Sequence, residues 1–350
     1  MPTDIYNKLE KKGVFRFGSD ELDIFEKRLA IYFTREYKLH KNTENKSVSL
    51  DEGPLALDPE DLANFHYDEG IPFFRTFLDK ETMSYTMAFF DNVPEKALTS
   101  KKTIDEAQLE KFKLITTRMK IKGNEKLLNL GCGFGYFESF LLNAYPEIQI
   151  TSITHSKDQY EFLVSRISDS NDELSSDRFS LFFGELDNDT SSLLGKNEYD
   201  VVCSVGLVEQ INNLQIFFGI INELLVENGR TFHHLIVSRD VIPQFLHPEK
   251  TLIGDYFPGG IILPFSAIKN YKFDNFEISD AWFVNGINYW QTLNKWHDNF
   301  WNNMHMIYPE QMNSKRVDHW NKYFVLCKAI FFPENGQACG NGQYLFYKKS

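Results

Sequence analysis

The chain has 350 residues, a formal net charge of −12 and an aromatic content of 15%, which includes 32 Phe. Phosphate backbones are bound by basic surfaces, and this acidic chain has no dense run of Lys or Arg, so nucleic acid is excluded as a partner. The four cysteines lack CxxC spacing, which predicts neither a metal site nor a disulfide framework. Without a signal peptide or a long apolar run, the sequence predicts a soluble, cytoplasmic protein that is not an integral membrane protein.

The first third of the chain is predicted to be mostly helical. Apolar residues at helical spacing predict a helix over residues 22–37, and prolines at 54 and 59 mark a loop after it. Residues 61–118 again have a largely helical pattern. We therefore expect a mostly helical N-terminal segment, residues 1–118, followed by a second domain over residues 119–350.

Residues 126–140 are the most informative stretch. The apolar strand predicted over Lys126–Leu130 runs directly into the glycines of residues 131–135, and a helical pattern follows. Glycines at such a junction allow a tight turn and a close approach of a ligand to the main chain, and the amides that open the helix face the same crevice. A dinucleotide fingerprint needs a third glycine where Tyr136 stands, so a pyrophosphate ligand is disfavoured.

Strands and helices then alternate. We predict strands over residues 148–154, 179–185, 199–205 and 229–237, a helix capped by Ser156, and another helix over residues 212–226. This alternation predicts an α/β fold, a mostly parallel sheet flanked by helices, with ligands at the carboxyl ends of its strands. The candidate site residues at such ends are Gly131 to Gly135, Thr154, Glu185 and Glu209.

After residue 240 the chain is expected to leave the sheet. Residues 240–264 are rich in Pro and Gly and are predicted to form a lid beside the strand ends. Aromatic helices over residues 287–306 and 314–331 follow, and a last strand over residues 342–347 completes the sheet. The lid and substrate insertion therefore spans about residues 240–335.

Six strings of sequence, in order along the chain, resemble one family. They are Asn64–Phe74, Phe77–Asp79, Met83–Phe90, Val208–Gln215, Asp255–Pro264 and Trp282–Tyr289. They resemble the cyclopropane fatty acid synthase superfamily, which includes N-methyltransferases of the coclaurine type. The resemblance implies a Rossmann-like class I methyltransferase fold, S-adenosyl-L-methionine (SAM) as cofactor and S-adenosyl-L-homocysteine as its product. A G-C-G-x-G loop is the usual first motif of such enzymes.

The family pattern also implies which residues contact SAM, some of them supplied by the N-terminal segment. From the methionine portion through the ribose to the adenine, they are Tyr85, Thr86, Gly131, Gly133, Thr154, Gln159 and Glu185. The carboxylate of Glu185 would accept a hydrogen bond from the adenine amino group.

The positions that carry the chemistry match neither branch of the family completely. The N-methyltransferase branch has two glutamates and a histidine where this chain has Gly206, Glu209 and Gln210. Only the second glutamate is kept. This chain therefore has an incomplete version of that catalytic set.

The fatty-acid branch uses a different set, which holds a bicarbonate ion as the base. Its cysteine, glutamate, histidine and tyrosine align with Met87, Glu209, His234 and Tyr323. Because the cysteine is replaced, bicarbonate binding is put in doubt. Glu209, His234 and Tyr323 remain the candidate catalytic residues. His233 alternates to the opposite face of its strand, so it and His234 cannot both point into one site.

The leading hypothesis is a SAM-dependent methyltransferase that transfers a methyl group in line to the nitrogen of a small-molecule amine. Glu209 would hold the ammonium and accept its proton, with His234 beside it, and Phe257, Trp282 and Tyr289 would line the acceptor pocket. The alternatives are methylene or C-methyl transfer to an unsaturated lipid, and a SAM-sensing module without enzymatic activity. A homodimer is also expected.

Overall fold

A computed structural model gives the structure of residues 2–41, 50–56, 70–187, 189–239, 244–246, 251–254 and 256–349. A mixed sheet forms the centre of this described part of the chain. Its strands are β1 (Lys126–Leu130), β2 (Gln149–Thr154), β3 (Phe179–Phe183), β4 (Tyr199–Val205), β5 (Leu225–Ser238), β6 (Gln244–Phe245), β7 (Ile261–Pro264), β8 (Phe276–Asn285) and β9 (Cys339–Lys348).

The strand order is β3-β2-β1-β4-β5, and these strands run parallel. β9 pairs antiparallel with β5 and with β8. Parallel neighbours require crossover connections, usually helical, which is why helices alternate with the first strands along the chain. Their carboxyl ends meet at one edge of the sheet, where the site is expected.

The helices are α1 (Pro2–Glu10), α2 (Asp20–His40), α3 (Gly70–Phe77), α4 (Pro94–Leu98), α5 (Ile104–Arg118), α6 (Tyr136–Ala144), α7 (Lys157–Ile167), α8 (Thr190–Leu194), α9 (Leu214–Leu224), α10 (Phe265–Asn270), α11 (Ile287–Asn303), α12 (Ser314–Phe331) and the single turn α13 (Pro333–Gly336). Several of them begin at a side-chain cap. Thr103 and Glu106 form a capping box on α5, and Ser156 and Asn213 accept hydrogen bonds from the first turns of α7 and α9.

Strand β5 changes partners along one edge. Residues up to His234 pair with β4, whose last residue, Val205, lies opposite it. From Val237 onward β5 pairs instead with β7, beginning at Leu263. Between these two partners, part of the β5 edge pairs with no strand of the described residues.

The other edge of β5 pairs with β9. His234 lies opposite Gln343, and Ile236 lies opposite Asn341. Residues directly opposite each other in an antiparallel pair point to the same face, as do residues two apart on one strand. The register therefore places all four side chains on one face of the sheet.

Three apolar cores support this arrangement. α9 covers one face of the sheet, and α5, α6 and α7 cover the other. The third core joins α3 to α11 and α12 and is rich in aromatic residues, with Trp296, Phe300 and Trp320 fully buried. Burying such large side chains provides much of the stabilisation of this helical layer, since buried apolar area gives about 25 cal/mol per Å².

The predicted α/β fold with a mostly parallel sheet and flanking helices is confirmed. The expectation that the chain leaves the sheet throughout residues 240–264 is wrong, because β7 returns to pair with β5. The strand β8 was not expected, and β3 ends two residues before its predicted end.

The division of the chain at residue 118 stays a prediction, as does the homodimer. α2 and α3, from the first segment, pack against α12 and α11 from the second. In the described part of the chain, no helix combines the length and the hydrophobicity needed to cross a bilayer.

Two glycines give opposite predictions for stability. A Cβ at Gly340, in β9, would lie 2.3 Å from the carbonyl oxygen of Val284, whereas a Cβ at Gly219, on the exposed side of α9, would meet nothing within 4 Å. We expect Gly340→Ala to lower the free energy of unfolding by about 1–3 kcal/mol, since backbone must move. Gly219→Ala should raise it by about 0.5–1 kcal/mol by favouring the helix. Urea unfolding of both variants checks this, and equal effects would contradict the close approach of β8 to β9.

Candidate active site

Two cavities lie at the carboxyl ends of the parallel strands and share a wall. The glycine-loop cavity is lined by residues that include Gly131, Gly133, Thr154, His155 and Gln159. The aromatic cavity is lined by residues that include Glu209, His234, Phe257, Tyr289, Tyr323 and Asn341. Tyr85, Thr86, Gly206 and Gln210 line both. A ligand in one cavity is thus next to a ligand in the other.

The loop after β1 needs its glycines. Gly131, Gly133 and Gly135 have φ values of 77°, 58° and 78°, a region that other residues rarely adopt. A Cβ at Gly135 would also lie 2.4 Å from the Leu163 side chain on α7. The loop therefore turns tightly where α6 packs closely against α7.

Arg166 fixes this loop from α7. Its Nη1 donates to the carbonyl of Phe134 at 2.9 Å, and its Nη2 donates to Ser139 Oγ at 2.8 Å. Asp172 accepts from Arg166 Nε at 2.7 Å and balances its charge. Such a bidentate, mostly buried cation holds the loop in one conformation without lining the cavity.

The glycine-loop cavity fits a nucleoside without phosphate. Among its described lining residues there is no Lys or Arg, the side chains that usually neutralise a pyrophosphate. Six of the residues predicted to contact SAM line it: Tyr85, Thr86, Gly131, Gly133, Thr154 and Gln159. The Thr154 and Gln159 side chains also bond to each other at 3.0 Å. Their individual contacts with a ligand stay predictions.

Glu185 is not among the lining residues. It is exposed beyond β3, which ends at Phe183, so its position does not support the predicted contact with adenine. His155 lines the cavity instead, and its Nε2 is buried without a hydrogen-bond partner among the described residues. Burial lowers the pKa of His155, which favours the neutral ring. Sequence reasoning missed this residue, although it follows Thr154 directly at a strand end.

Lys111 was also missed. It is fully buried on α5 and donates from Nζ to Ser84 Oγ at 2.5 Å and to Thr86 Oγ1 at 2.8 Å, while Gln108 Nε2 donates to the carbonyls of the same two residues. Burial lowers the pKa of Lys111, and nearby Asp79 opposes that shift. Two polar residues three apart among the apolar residues of α5 were the available signal. Together they hold residues 84–86 against both cavities.

The aromatic cavity has rings on several sides. Tyr323 Oη lies 2.9 Å from Tyr85 Oη, the Phe257 and Tyr323 rings are 6.0 Å apart, and Tyr289 stacks on Phe331 at 4.3 Å. Aromatic faces attract cations through the ring quadrupole, by about 0.5–2 kcal/mol each. The predicted lid contributes through Phe257 and through Gly260 to Ile262, whereas Asp255 and residues 64–69 of the first family string lie outside the described residues.

The expectation that Trp282 lines this cavity is wrong. Trp282 is on β8, which was predicted as part of the substrate region rather than as a strand of the sheet. Its ring packs under the guanidinium of Arg118 at 4.9 Å and against the core beneath α5. Trp282 lies opposite Gln343, on the same face of the sheet as His234, but it is on the strand beyond β9 and is not among the residues that line the aromatic cavity.

Glu209 lies in the short turn after β4, beside the part of the β5 edge that is unpaired in the described structure. Its Oε1 accepts the backbone N–H of Ile236 at 2.7 Å. Its Oε2 is buried in the aromatic cavity and has no partner among the described residues. Burial raises the pKa of Glu209 to about 7, although the Ile236 amide opposes that shift. An acid near neutrality with one free oxygen can bind a cation and accept its proton.

His234 lines the same cavity but is already bonded at both ring nitrogens. Gln343 lies 2.8 Å from Nδ1, and Asn341 lies 3.1 Å from Nε2. Burial lowers the pKa of His234 to about 3, so the ring is neutral. With both ring nitrogens engaged, His234 is not placed to act directly as a base, and its membership of the catalytic set stays a prediction. As predicted, His233 faces the other way, where Ser204 bonds its Nδ1 at 2.8 Å.

Comparisons with known proteins agree with this geometry. A family model described as mycolic acid cyclopropane synthetase matches residues 58–339. The chain is 23% identical over 317 residues to an (S)-coclaurine N-methyltransferase from Thalictrum flavum subsp. glaucum, covering 87% of this chain and 83% of the relative. It is 24% identical over 279 residues to cyclopropane mycolic acid synthase 3 from Mycobacterium tuberculosis, covering 76% of this chain and 90% of the relative.

Solved structures show the same fold. A crystal structure of a coclaurine N-methyltransferase, bound to N-methylheliamine and SAH, covers all of this chain at a TM-score of 0.75 and 17% identity, with 96% of that chain covered. The mycolic acid cyclopropane synthase CmaA1, complexed with SAH and CTAB, covers 83% of this chain and 99% of its own at a TM-score of 0.65 and 22% identity. The predicted Rossmann-like class I fold is thereby confirmed.

The buried acid has a consequence for stability. Because folding raises the pKa of Glu209, the folded protein binds a proton that the unfolded chain has lost, so the contribution of Glu209 to stability falls as pH rises from about 4.5 to about 7. We compare the free energy of unfolding of Glu209→Gln with that of the wild type. The difference between them should shift in favour of the variant by about 2–3 kcal/mol as the pH is raised from about 5 to about 8. Urea unfolding at both pH values checks this. Glu147→Gln, at an exposed turn, is the control, and parallel pH profiles for wild type and Glu209→Gln would contradict the burial.

Proposed function

Since the chain belongs to the mycolic acid cyclopropane synthetase family and is a SAM-dependent methyltransferase, we propose that its methyl acceptor is the nitrogen of a small-molecule amine. The observation that carries the proposal is Oε2 of Glu209, a buried carboxylate oxygen that has no hydrogen-bond partner among the described residues and belongs to a side chain lining a cavity with aromatic walls. A buried charge without a partner is costly, and an ammonium group is the ligand that would neutralise it.

The glycine-loop cavity would hold SAM. Tyr85 and Thr86 would contact its methionine portion, the loop of Gly131 and Gly133 would lie beneath it, and Thr154, Gln159 and His155 would face its nucleoside. SAM supplies the methyl group from its sulfonium centre. The chain's own residues supply position and exclude water, which is most of what such a transfer requires.

Glu209 would prepare the acceptor. A bound ammonium gives its proton to Oε2, which leaves a neutral amine with a free lone pair and a neutral carboxylic acid. Burial favours this exchange, because both charges disappear from a poorly solvated cavity. The lone pair would then point toward the methyl carbon across the junction of the two cavities, which Tyr85, Thr86, Gly206 and Gln210 border, and the N–C bond would form as the C–S bond of SAM breaks to leave the neutral thioether of S-adenosylhomocysteine.

Two observations favour an amine over the bicarbonate-assisted reaction. Met87 is fully buried and is not among the lining residues of either cavity, so it offers nothing in place of the missing cysteine. Both ring nitrogens of His234 are engaged by side chains. Relatives named as N-methyltransferases of coclaurine and pavine add support.

Alkylation of an unsaturated lipid is the second candidate. The aromatic cavity also has an aliphatic side, formed by Ile236, Leu246, Ile253, Leu293 and Ile330, which could accommodate an acyl chain. A relative from Pseudomonas putida is named a probable fatty acid methyltransferase. The two candidate reactions differ in the methyl acceptor, which is an amine nitrogen or a lipid double bond. They also differ in the base, which is Glu209 for the amine and a bicarbonate ion for the lipid.

The purified protein, given SAM and a panel of small amines in bicarbonate-depleted buffer, is expected to form an N-methylated product. Mass spectrometry of the product and measurement of S-adenosylhomocysteine check this. Vesicles of unsaturated phospholipid, with and without bicarbonate, form the comparison arm. Turnover confined to the lipid and dependent on bicarbonate would establish the second candidate and overturn the first.

Glu209→Gln keeps the size of the side chain and removes its charge. We expect turnover of a cationic amine to fall by about tenfold to a thousandfold, which corresponds to about 1.5–4 kcal/mol, while SAM affinity changes little. Steady-state kinetics and calorimetry with SAM measure the two effects, and Glu147→Gln is the matched control. Unchanged turnover would exclude Glu209 as the amine contact.

A further inference from the structure

Beyond the carboxylate of Glu209, and resting on the proposed amine acceptor, we propose that Asn341 is a second contact for that acceptor and donates a hydrogen bond to an oxygen of it. The acceptor would then be an amine that also carries a hydrogen-bond-accepting oxygen, such as an ether, a carbonyl or a hydroxyl group. The inference follows from a chain of hydrogen bonds that begins at Arg118.

Arg118 fixes the orientation of Gln343. Its Nη1 lies 2.5 Å from the side-chain amide of Gln343, and a guanidinium can only donate, so the atom facing it is Oε1. The ring of Trp282 lies 4.9 Å from the guanidinium and holds it in place. The NH2 of Gln343 is therefore the group that faces His234.

That orientation selects the tautomer of His234. Gln343 Nε2 lies 2.8 Å from Nδ1 and donates to it, so Nδ1 must carry the lone pair. The ring is neutral, because burial and the nearby cations Lys111 and Arg118 lower its pKa to about 3. A neutral imidazole has one N–H, which is then on Nε2.

The Nε2 proton in turn orients Asn341. With Nδ2 placed toward the ring at 3.1 Å, two donors would face each other. The ends of a terminal amide are assigned from the surrounding hydrogen bonds, and this network requires Oδ1 to face Nε2. The NH2 then occupies the position of the other amide atom, which is buried and has no partner among the described residues.

Asn341 is placed to use that donor. It is 2% exposed and lines the aromatic cavity. It lies opposite Ile236 on β9, while Glu209 bonds the Ile236 amide at the other edge of β5. The carboxylate oxygen of Glu209 and the NH2 of Asn341 therefore lie on opposite sides of β5, and two strand spacings of about 4.8 Å separate the positions on either side of a strand by about 10 Å. An amine whose oxygen is several bonds from its nitrogen can reach both.

A buried NH2 without a hydrogen-bond partner is unfavourable. An apolar ligand group placed against it would not supply that hydrogen bond. Binding should therefore discriminate between amines that differ only by an oxygen. This discrimination is separate from that of Glu209, which recognises the positive charge common to both.

The test compares phenethylamine with its 2-, 3- and 4-methoxy isomers, whose ether oxygen accepts a hydrogen bond but cannot donate one. For the wild type, at least one isomer should have a KM about 3- to 10-fold lower than that of phenethylamine. A change of about this size in affinity is expected from one neutral hydrogen bond. In Asn341→Leu the preference should vanish, with phenethylamine as the internal control. Asn341→Asp, which keeps the size and an acceptor for His234, should lose it as well.

A second arm does not depend on turnover. Nitrogen-15 NMR of labelled histidine should show His234 with a protonated Nε2 and a bare Nδ1, and Arg118→Met should produce a mixture of tautomers. Observation of a protonated Nδ1 in the wild type would overturn the inference, as would a methoxy preference that survives in Asn341→Leu. If no amine is methylated, the proposed function fails, and the tautomer still decides whether the network presents an NH2 to the cavity.

Discussion

The site depends on one backbone N–H of β5 that is bonded by a side chain, where the described strands leave a gap in the pairing. Past the end of β4, the carbonyl of His234 is taken by the Gly206 amide at 2.8 Å, and the next group on that edge of β5 is the N–H of Ile236. Glu209 accepts it at 2.7 Å before β7 resumes the pairing. A buried amide without a partner would cost about 1–3 kcal/mol. A hydrogen-bond acceptor such as the Glu209 carboxylate is therefore favoured at this gap in the sheet. The same bond fixes which carboxylate oxygen remains available.

Much of this could be predicted from local pattern. The boundaries of β1 and β4 agree with the predictions to the residue, because an apolar run that ends at a glycine is decided by neighbours in sequence. The six residues predicted around the glycine loop lie together for the same reason: parallel strands place their carboxyl ends at one edge.

The other features of the site depend on which residues of distant strands and helices lie opposite each other, and the sequence could not predict those pairings. His234 is opposite Gln343, more than 100 positions later in the chain, and nothing local indicates that pairing. Trp282 was predicted as a pocket residue because its string resembled the family, but the unexpected strand β8 turned it toward Arg118. The pattern of α5 could place Lys111 on the buried side of the helix, but only the fold shows that it contacts residues 84–86. A polar residue in a core acquires its role from partners that the fold brings to it.

The shared wall of the two cavities has a thermodynamic consequence. Tyr85, Thr86, Gly206 and Gln210 each have one side toward the glycine loop and another toward Glu209. A molecule on either side would restrict these same four residues and remove solvent from its neighbour's wall, so the two binding events would share a coupling free energy. Linkage requires that coupling to be reciprocal: if the first molecule changes the affinity of the second by some factor, the second changes the affinity of the first by the same factor. Under the proposed function, this coupling would let SAM and the acceptor bind as a cooperative pair with no movement of the sheet.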